Sequence, residues 1–256
     1  MIVALKILSM RIRERMAYRV EFFISLLAMF ITELLPLFIT LIIYANTTGF
    51  EGWTLHDIIL LQGTFLLVKG FAFAFFMGII WNSNNKVRKG DFDQILLKPK
   101  PVLLMFIYDS FDTEDIAKFI GGLGLIIYAF WHLGISSPLS LMLYMLGILL
   151  GIIFFLGVAL YVSAYIFSFV ESWSVYNLIT AIGMMAQYPS SIYPKFIVGF
   201  FSTAIPVFAV VTLPLGLYQY IFSTYFLFLI INTFIFTGIA LWIWHYVIAR
   251  YTSSGG

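Results

Sequence analysis

The sequence predicts an all-α, polytopic membrane protein: six transmembrane helices preceded by an amphipathic helix, with a proline-broken segment between the fifth and sixth spans. Three observations carry this. Of the 256 residues, 62% are hydrophobic and 10% charged, against roughly 45–50% and 25% in a soluble domain, so a water-soluble globule is excluded. Windows of about 20 apolar residues, the length that crosses a hydrocarbon core of roughly 30 Å, recur along the chain. The 14 Lys and Arg side chains fall almost wholly on one side of alternating spans. Cysteine is absent, which excludes disulfides, thiolate metal sites and cysteine nucleophiles.

A single membrane domain over 1–256 is expected, beginning with a basic leader over 1–21. Arg11, Arg15 and Arg19 recur at four-residue spacing while Leu5, Leu8, Ile12 and Met16 mark another face, as in a helix lying along a membrane surface. A frayed basic tail is the alternative. The first apolar run is far longer than a signal-peptide core and no small-residue cleavage site follows it, so the first helix is expected to stay.

The spans read Phe22–Tyr44, Ile58–Trp81, Ile116–Trp131, Leu139–Phe167, Val175–Gln187 and Tyr218–Tyr246. The fifth is too short to cross upright. It continues over 188–217, an apolar stretch broken by Pro189, Pro194, Pro206 and Pro214, which predicts short helices that enter the membrane and turn back. Each proline removes a backbone donor and frees a carbonyl that must find protein or water rather than lipid, so the stretch is expected to line or cap a cavity. A long outer loop on the membrane surface is the alternative. Tyr188 and Tyr193 are interfacial residues in this reading.

Alternating spans put Lys6, Arg11, Arg13, Arg15, Arg19, Lys86, Arg88, Lys89, Lys98, Lys100, Lys118 and Arg250 on one side and Lys195 on the other. The excess of cations marks the cytoplasmic side, which places both termini in the cytoplasm. Lys69 is left inside the second span, where an unpaired charge is costly. Counted from the cytoplasmic ends, Glu33 and Lys69 both lie about 16–18 Å deep at 1.5 Å per residue. A buried Glu33–Lys69 ion pair joining the first two helices is expected, structural in role, with cargo contact or gating as the alternative.

Gly147, Gly151 and Gly157 lie on one face of span four, and Gly121, Gly122 and Gly124 stand in span three. Small residues so placed let another backbone approach closely, a packing signal rather than a chemical one. Phe71, Phe73, Phe75 and Phe76 supply apolar surface for lipid packing or for cargo.

The soluble stretch 82–115 holds six of the 12 acidic residues. Within it, Asp91 or Asp93 can cap a short helix, Phe92, Ile95 and Leu96 fall at helical spacing, and Pro99 and Pro101 stop it. A solvated loop and a docking element for a cytoplasmic partner fit this stretch equally well.

Here the residues carry a resemblance. Gly90-Asp91-Phe92-Asp93 followed by Leu96-Leu97-Lys98-Pro99 resembles the G-x-[LF]-D-x-x-L-[LV]-[KR]-P segment in the cytoplasmic loop of ABC-2-type exporter permeases. Tyr188-Pro189-Ser190-Ser191-Ile192-Tyr193-Pro194 resembles that family's YPxxIYP signature, and the ending from Arg250 resembles its RYxSxG tail. The resemblance implies a permease in the plasma (inner) membrane that pairs with a second permease, identical or homologous, and docks on separate ABC ATPase subunits. It makes the cytoplasmic loop a coupling helix, with Asp91, Phe92, Asp93, Leu96, Leu97, Lys98 and Pro99 as ATPase contacts. It also implies that the first, second and fifth spans line the pathway, and that the proline-broken segment forms re-entrant helices at an outer gate. ATP and Mg would sit on the partner, with no cofactor bound by this chain and no nucleic-acid partner. The sequence agrees, having no G-x-x-x-x-G-K-[ST] loop and no soluble portion long enough for an ATPase domain. Export of a hydrophobic or amphipathic compound is implied; no motif identifies the cargo.

Two other classes compete. Tyr108-Asp109 with Gly122-Leu123-Gly124 resembles the paired motifs of intramembrane aspartyl proteases, but Leu125 stands where the second aspartate belongs. No G-x-S-x-G or H-E-x-x-H is present, and His56, His132 and His245 fall near membrane edges, far apart in sequence. A channel or passive anchor is the remaining alternative, and no charge ring or filter loop supports a channel.

Overall fold

The computed structural model describes residues 19–97, 99–112, 115–135, 137–169, 173–219 and 224–251. The predicted leader helix and the residues after Tyr251 lie outside the described residues, as does Lys98. Every regular element described is helical.

Helix α1 spans Arg19–Asn46 and α2 spans Leu55–Ala72. A π-helical turn, Phe73–Met77, joins α2 to α3, Gly78–Lys89, so that Leu55–Lys89 is one continuous rod of 35 residues. Two short helices follow, α4 (Phe92–Leu96) and α5 (Val102–Asp109). Then come α6 (Ile116–Leu133), α7 (Pro138–Phe169) and α8 (Trp173–Gly183). Three 3₁₀ turns, Met184–Gln187, Ser190–Ile192 and Val207–Val210, alternate with α9 (Lys195–Thr203) and α10 (Thr212–Tyr218) before α11 (Thr224–Ala249).

Among the described residues five helices are long and apolar enough to cross a membrane: Phe23–Asn46, Leu55–Lys89, Ile116–Leu133, Pro138–Phe169 and Thr224–Ala249. The expected fifth span is α8, whose 11 residues rise only about 16 Å. The second span differs from expectation in the other direction. It does not stop at Trp81 but runs on to Lys89, because nothing in Trp81–Lys89 breaks a helix until Gly90.

Glycines set how closely the helices approach. A Cβ at Gly70 would strike the backbone of Phe119 and Lys118, and one at Gly122 would strike Leu67 and the carbonyl of Gly63, so α2 and α6 pack backbone to backbone, antiparallel. Gly124 meets nothing within 4 Å. The glycine face of α7 meets the proline-broken segment and the last helix: Gly147 abuts Pro214, Gly151 abuts Val210, and Gly157 abuts Thr237 and Phe236. Val207–Tyr218 is therefore buried against α7. It fills the space beside α7.

Hydroxyls join the helices inside the apolar core. Trp244 Nε1 donates to Ser163 Oγ at 3.0 Å, Ser163 lies 2.6 Å from Ser83, and Ser83 donates to the Ile79 carbonyl at 2.7 Å. Tyr144 and Thr64 meet at 2.6 Å while Thr64 donates to the Leu60 carbonyl. Each donor is satisfied, which is what burial in a low-dielectric interior requires. By contrast, 72% of the apolar window of Leu55–Lys89 is buried and only 6% of that of Phe23–Asn46. Helix α1 leans on the body by one face.

Candidate functional site

Glu33 on α1, Lys69 on α2 and Lys118 on α6 meet in one cluster. Lys69 Nζ lies 2.7 and 2.9 Å from the two Glu33 carboxylate oxygens. Lys118 Nζ lies 3.6 Å from Glu33 Oε1 and 2.6 Å from Asp115 Oδ1. The predicted pair is present, within a network of four. Both lysines are 8% exposed, so each charge needs its partners.

Phe73 opens the π turn and takes both ammonium groups over its ring, Lys118 at 4.6 Å and Lys69 at 5.7 Å from the centroid. Cations so desolvated gain appreciably from an aromatic face. The wider turn also frees the Ala74 carbonyl, which accepts the Asp112 N–H at 3.0 Å. This is the kind of single-turn π insertion that marks functional sites. Of the other phenylalanines in the run, Phe71 packs on Phe75 and Phe119, and Phe75 on Phe111.

The cluster forms one wall of a half-open cavity of about 180 Å³. Phe65, Phe73, Phe155 and Tyr176 supply its aromatic surface, and α8 with the 3₁₀ turn after it closes it through Thr180, Gly183 and Met184. Helices α1, α2, α6, α7 and α8 thus converge on a single space.

Sequence counting set the pair at mid-depth. Lys69 stands about 14 residues from the start of α2, and Lys118 just inside the start of α6. Lys118 and Asp115 were missed as members, Lys118 having been counted with the aqueous cations. The register follows from the glycine contacts: Gly63 against Ile126 and Gly122 against Leu67 in antiparallel helices bring Lys118 beside Gly70. Asp115 precedes α6, and burial pushes its carboxyl above the usual carboxylate range against the opposing pull of Lys118.

The segment Gly90–Pro99 closes the end of the bundle that carries α3 to α5. Gly90 ends α3 at φ +71°, with its N–H bonded to the Val87 carbonyl and that of Asp91 to Lys86, a Schellman termination. Asp91 stands at the N-cap of α4 but makes no side-chain cap bond, because the chain leaves Gly90 already turned into the helix. Phe92 is fully buried against Phe106, Phe167 and Tyr251, and Ile95 is 3% exposed. Leu96 faces outward, and Leu97 is 85% exposed. Of the residues expected to touch a partner, Phe92 instead anchors the helix, while Asp91, Leu96, Leu97 and Pro99 lie on the open side. Lys86 pairs with Asp109 at 3.0 Å beside this helix.

At the opposite end, each proline of the broken segment starts a helical turn. Pro189 precedes Ser190–Ile192, Pro194 precedes α9, Pro206 precedes Val207–Val210, and Pro214 lies in the first turn of α10, positions where a missing N–H costs least. Tyr193 donates to the Met185 carbonyl at 3.1 Å, and Tyr188 packs edge-on against Phe50. His56 and His132, distant in sequence, stack at 4.5 Å.

A family model described as ABC-2 family transporter protein matches residues 27–255. No curated protein and no solved structure matches the chain.

Proposed function

The chain belongs to the ABC-2 transporter family, whose members are multi-pass permeases of transmembrane transport, and from that premise we propose that it is the permease subunit of an ATP-driven exporter. In this reading two permeases, identical or homologous, form the pathway in the plasma membrane, with termini and the α3–α5 end in the cytoplasm. Separate ABC ATPases carry ATP and Mg and dock on that end. The re-entrant role of 188–217 and the six-crossing topology belong to the same proposal.

The observation that supports ATPase docking is the split of α4 into two faces. Phe92 and Ile95 fix it to the bundle, while Leu96 and Leu97 present apolar surface outward at the end of the 35-residue rod that also carries Lys69. A push on α4 is borne by Phe92 against Phe106 on α5 and Phe167 on α7, and through Phe106 against Trp244 it reaches the last helix. Closure of the ATPases upon ATP would tilt the bundle and open the pathway outward.

Because the chain has no cysteine, Leu97→Cys creates a single thiol. Expected is a specific disulfide or short crosslink from that thiol to a cysteine-bearing ATPase in native membranes. A crosslink forming equally from Phe196→Cys on α9, at the opposite end of the bundle, overturns the docking assignment.

A further inference from the structure

Three features of the charged cavity bear on what it holds. Its lining carries two ammonium groups, Lys69 and Lys118, to one carboxylate, Glu33; Asp115, which balances Lys118, lies outside the lining. With Glu33 in place the four charges balance; with Glu33 turned away, two ammonium groups face the cavity against Asp115 alone, an excess of positive charge on a surface with few polar groups, where attraction to an anion is strong.

The parts also differ in how firmly they are held. Lys69 and Lys118 stand on α2 and α6, locked backbone to backbone at Gly70, and share the Phe73 ring. Glu33 stands on α1, the helix with only 6% of its apolar window buried. The two cations are pre-placed, and the carboxylate between them is the exchangeable member.

The volume sets the scale. About 180 Å³ exceeds the roughly 150 Å³ that admits a benzene ring and falls below the roughly 300 Å³ of the smallest drug-sized pockets. The space takes a head group with one ring or a few methylenes against Phe65, Phe155 and Met184, and the open side lets a longer body extend out.

We propose that this cavity grips the head of the transported molecule, and that the molecule is an amphipathic acid: one carboxylate or phosphate monoester on an apolar or aromatic body. The acid head takes the place of Glu33 between Lys69 and Lys118, and the displaced Glu33 turns to the open side with α1. Glu33 acts as a built-in competitor that keeps the cations paired while the cavity is empty. This names the cargo class for the permease proposed above and rests on that reading.

The test measures binding of fluorescent lauric acid and of its methyl ester to the full chain in phosphatidylcholine nanodiscs, with empty discs subtracted. The acid is expected to bind at least about tenfold more tightly than the ester. Glu33→Gln tightens acid binding, Lys118→Gln weakens it, and laurylamine does not compete. Lys118→Gln leaves the Glu33–Lys69 pair intact, so it decides the matter even if Glu33→Gln fails to fold. Equal binding of acid and ester, or competition by laurylamine, overturns the proposal. Phosphatidic acid in the discs, a phosphate monoester, distinguishes the source of the acid: displacement of the probe identifies a bilayer lipid as occupant and none identifies a soluble amphiphile, and either keeps the acid site. The assay needs no ATPase, so its failure leaves the exporter reading standing, while a missing ATPase with intact acid binding counts against that reading alone.

Discussion

Lys69 Nζ sits 2.7 and 2.9 Å from the two carboxylate oxygens of Glu33, bridging the most buried of the five membrane-length helices described to the least buried. Gln62 Nε2 donates to Thr40 Oγ1 at 2.7 Å further along the same seam. With so little of α1 buried, these polar links set its position.

Removing either member of the pair strands a charge, but the two losses are unequal. Lys69→Met leaves Glu33 with Lys118 at 3.6 Å, whereas Glu33→Leu leaves two neighbouring lysines with Asp115 alone. Glu33→Leu is expected to cost about 3–5 kcal/mol and Lys69→Met less, and the double variant should recover part of the loss. Thermal unfolding in detergent at a fixed scan rate measures the order; Lys69→Met as the worse variant contradicts the network.

Gly70→Ala drives a methyl into the backbone of α6 and is expected to destabilise by about 1–3 kcal/mol. Gly124→Ala meets open space and gains up to about 1 kcal/mol of helix propensity. The same unfolding assay should move in opposite directions for these two alanines.

Phe92 and Leu97 should separate folding from docking. Phe92→Ala empties a fully buried site and is expected to cost about 3–5 kcal/mol, releasing α4, which limited proteolysis near Pro99 would detect. Leu97→Asp changes an 85% exposed side chain, and should leave melting unchanged while abolishing recovery of the ATPase. Recovery of the ATPase at the wild-type level with Leu97→Asp would remove α4 from the interface.

Asp115 gives a pH signature. Its folded carboxyl titrates above the ordinary value, so between the two values the folded chain holds a proton that the unfolded chain has lost. The stabilisation this gives is complete below the unfolded value of about 3.9 and is lost as pH rises through the folded one. The melting difference between wild type and Asp115→Asn should shift against wild type as pH rises through that window; a difference flat in pH contradicts it.

Much of this was legible in the sequence, for reasons that differ by element. The long apolar helices show because hydrophobicity of span length leaves no soluble option, and Glu33–Lys69 shows because two opposite charges cannot stand alone in lipid. The glycine faces of α6 and α7 announced close packing, though not that α7 would receive the proline-broken segment, since that depends on tertiary contact. Lys118 escaped notice because a lysine just inside a span end reads as an aqueous anchor until the antiparallel register is known. Phe92 and Ile95 meet the core while Leu96 stays outside, a choice that helical spacing, which groups all three, does not make. The π turn has no simple sequence signal, and it is what brings Phe73 between two cations.

The role proposed for this chain is the membrane half of an ATP-driven exporter. The most direct measurement is a pull-down of the tagged chain from native membranes in mild detergent, followed by mass spectrometry and an ATPase assay. Recovery of an ABC ATPase in stoichiometric amount, lost with Leu97→Asp, is the predicted result. Recovery of the chain alone after crosslinking, with no ATPase activity, would contradict it.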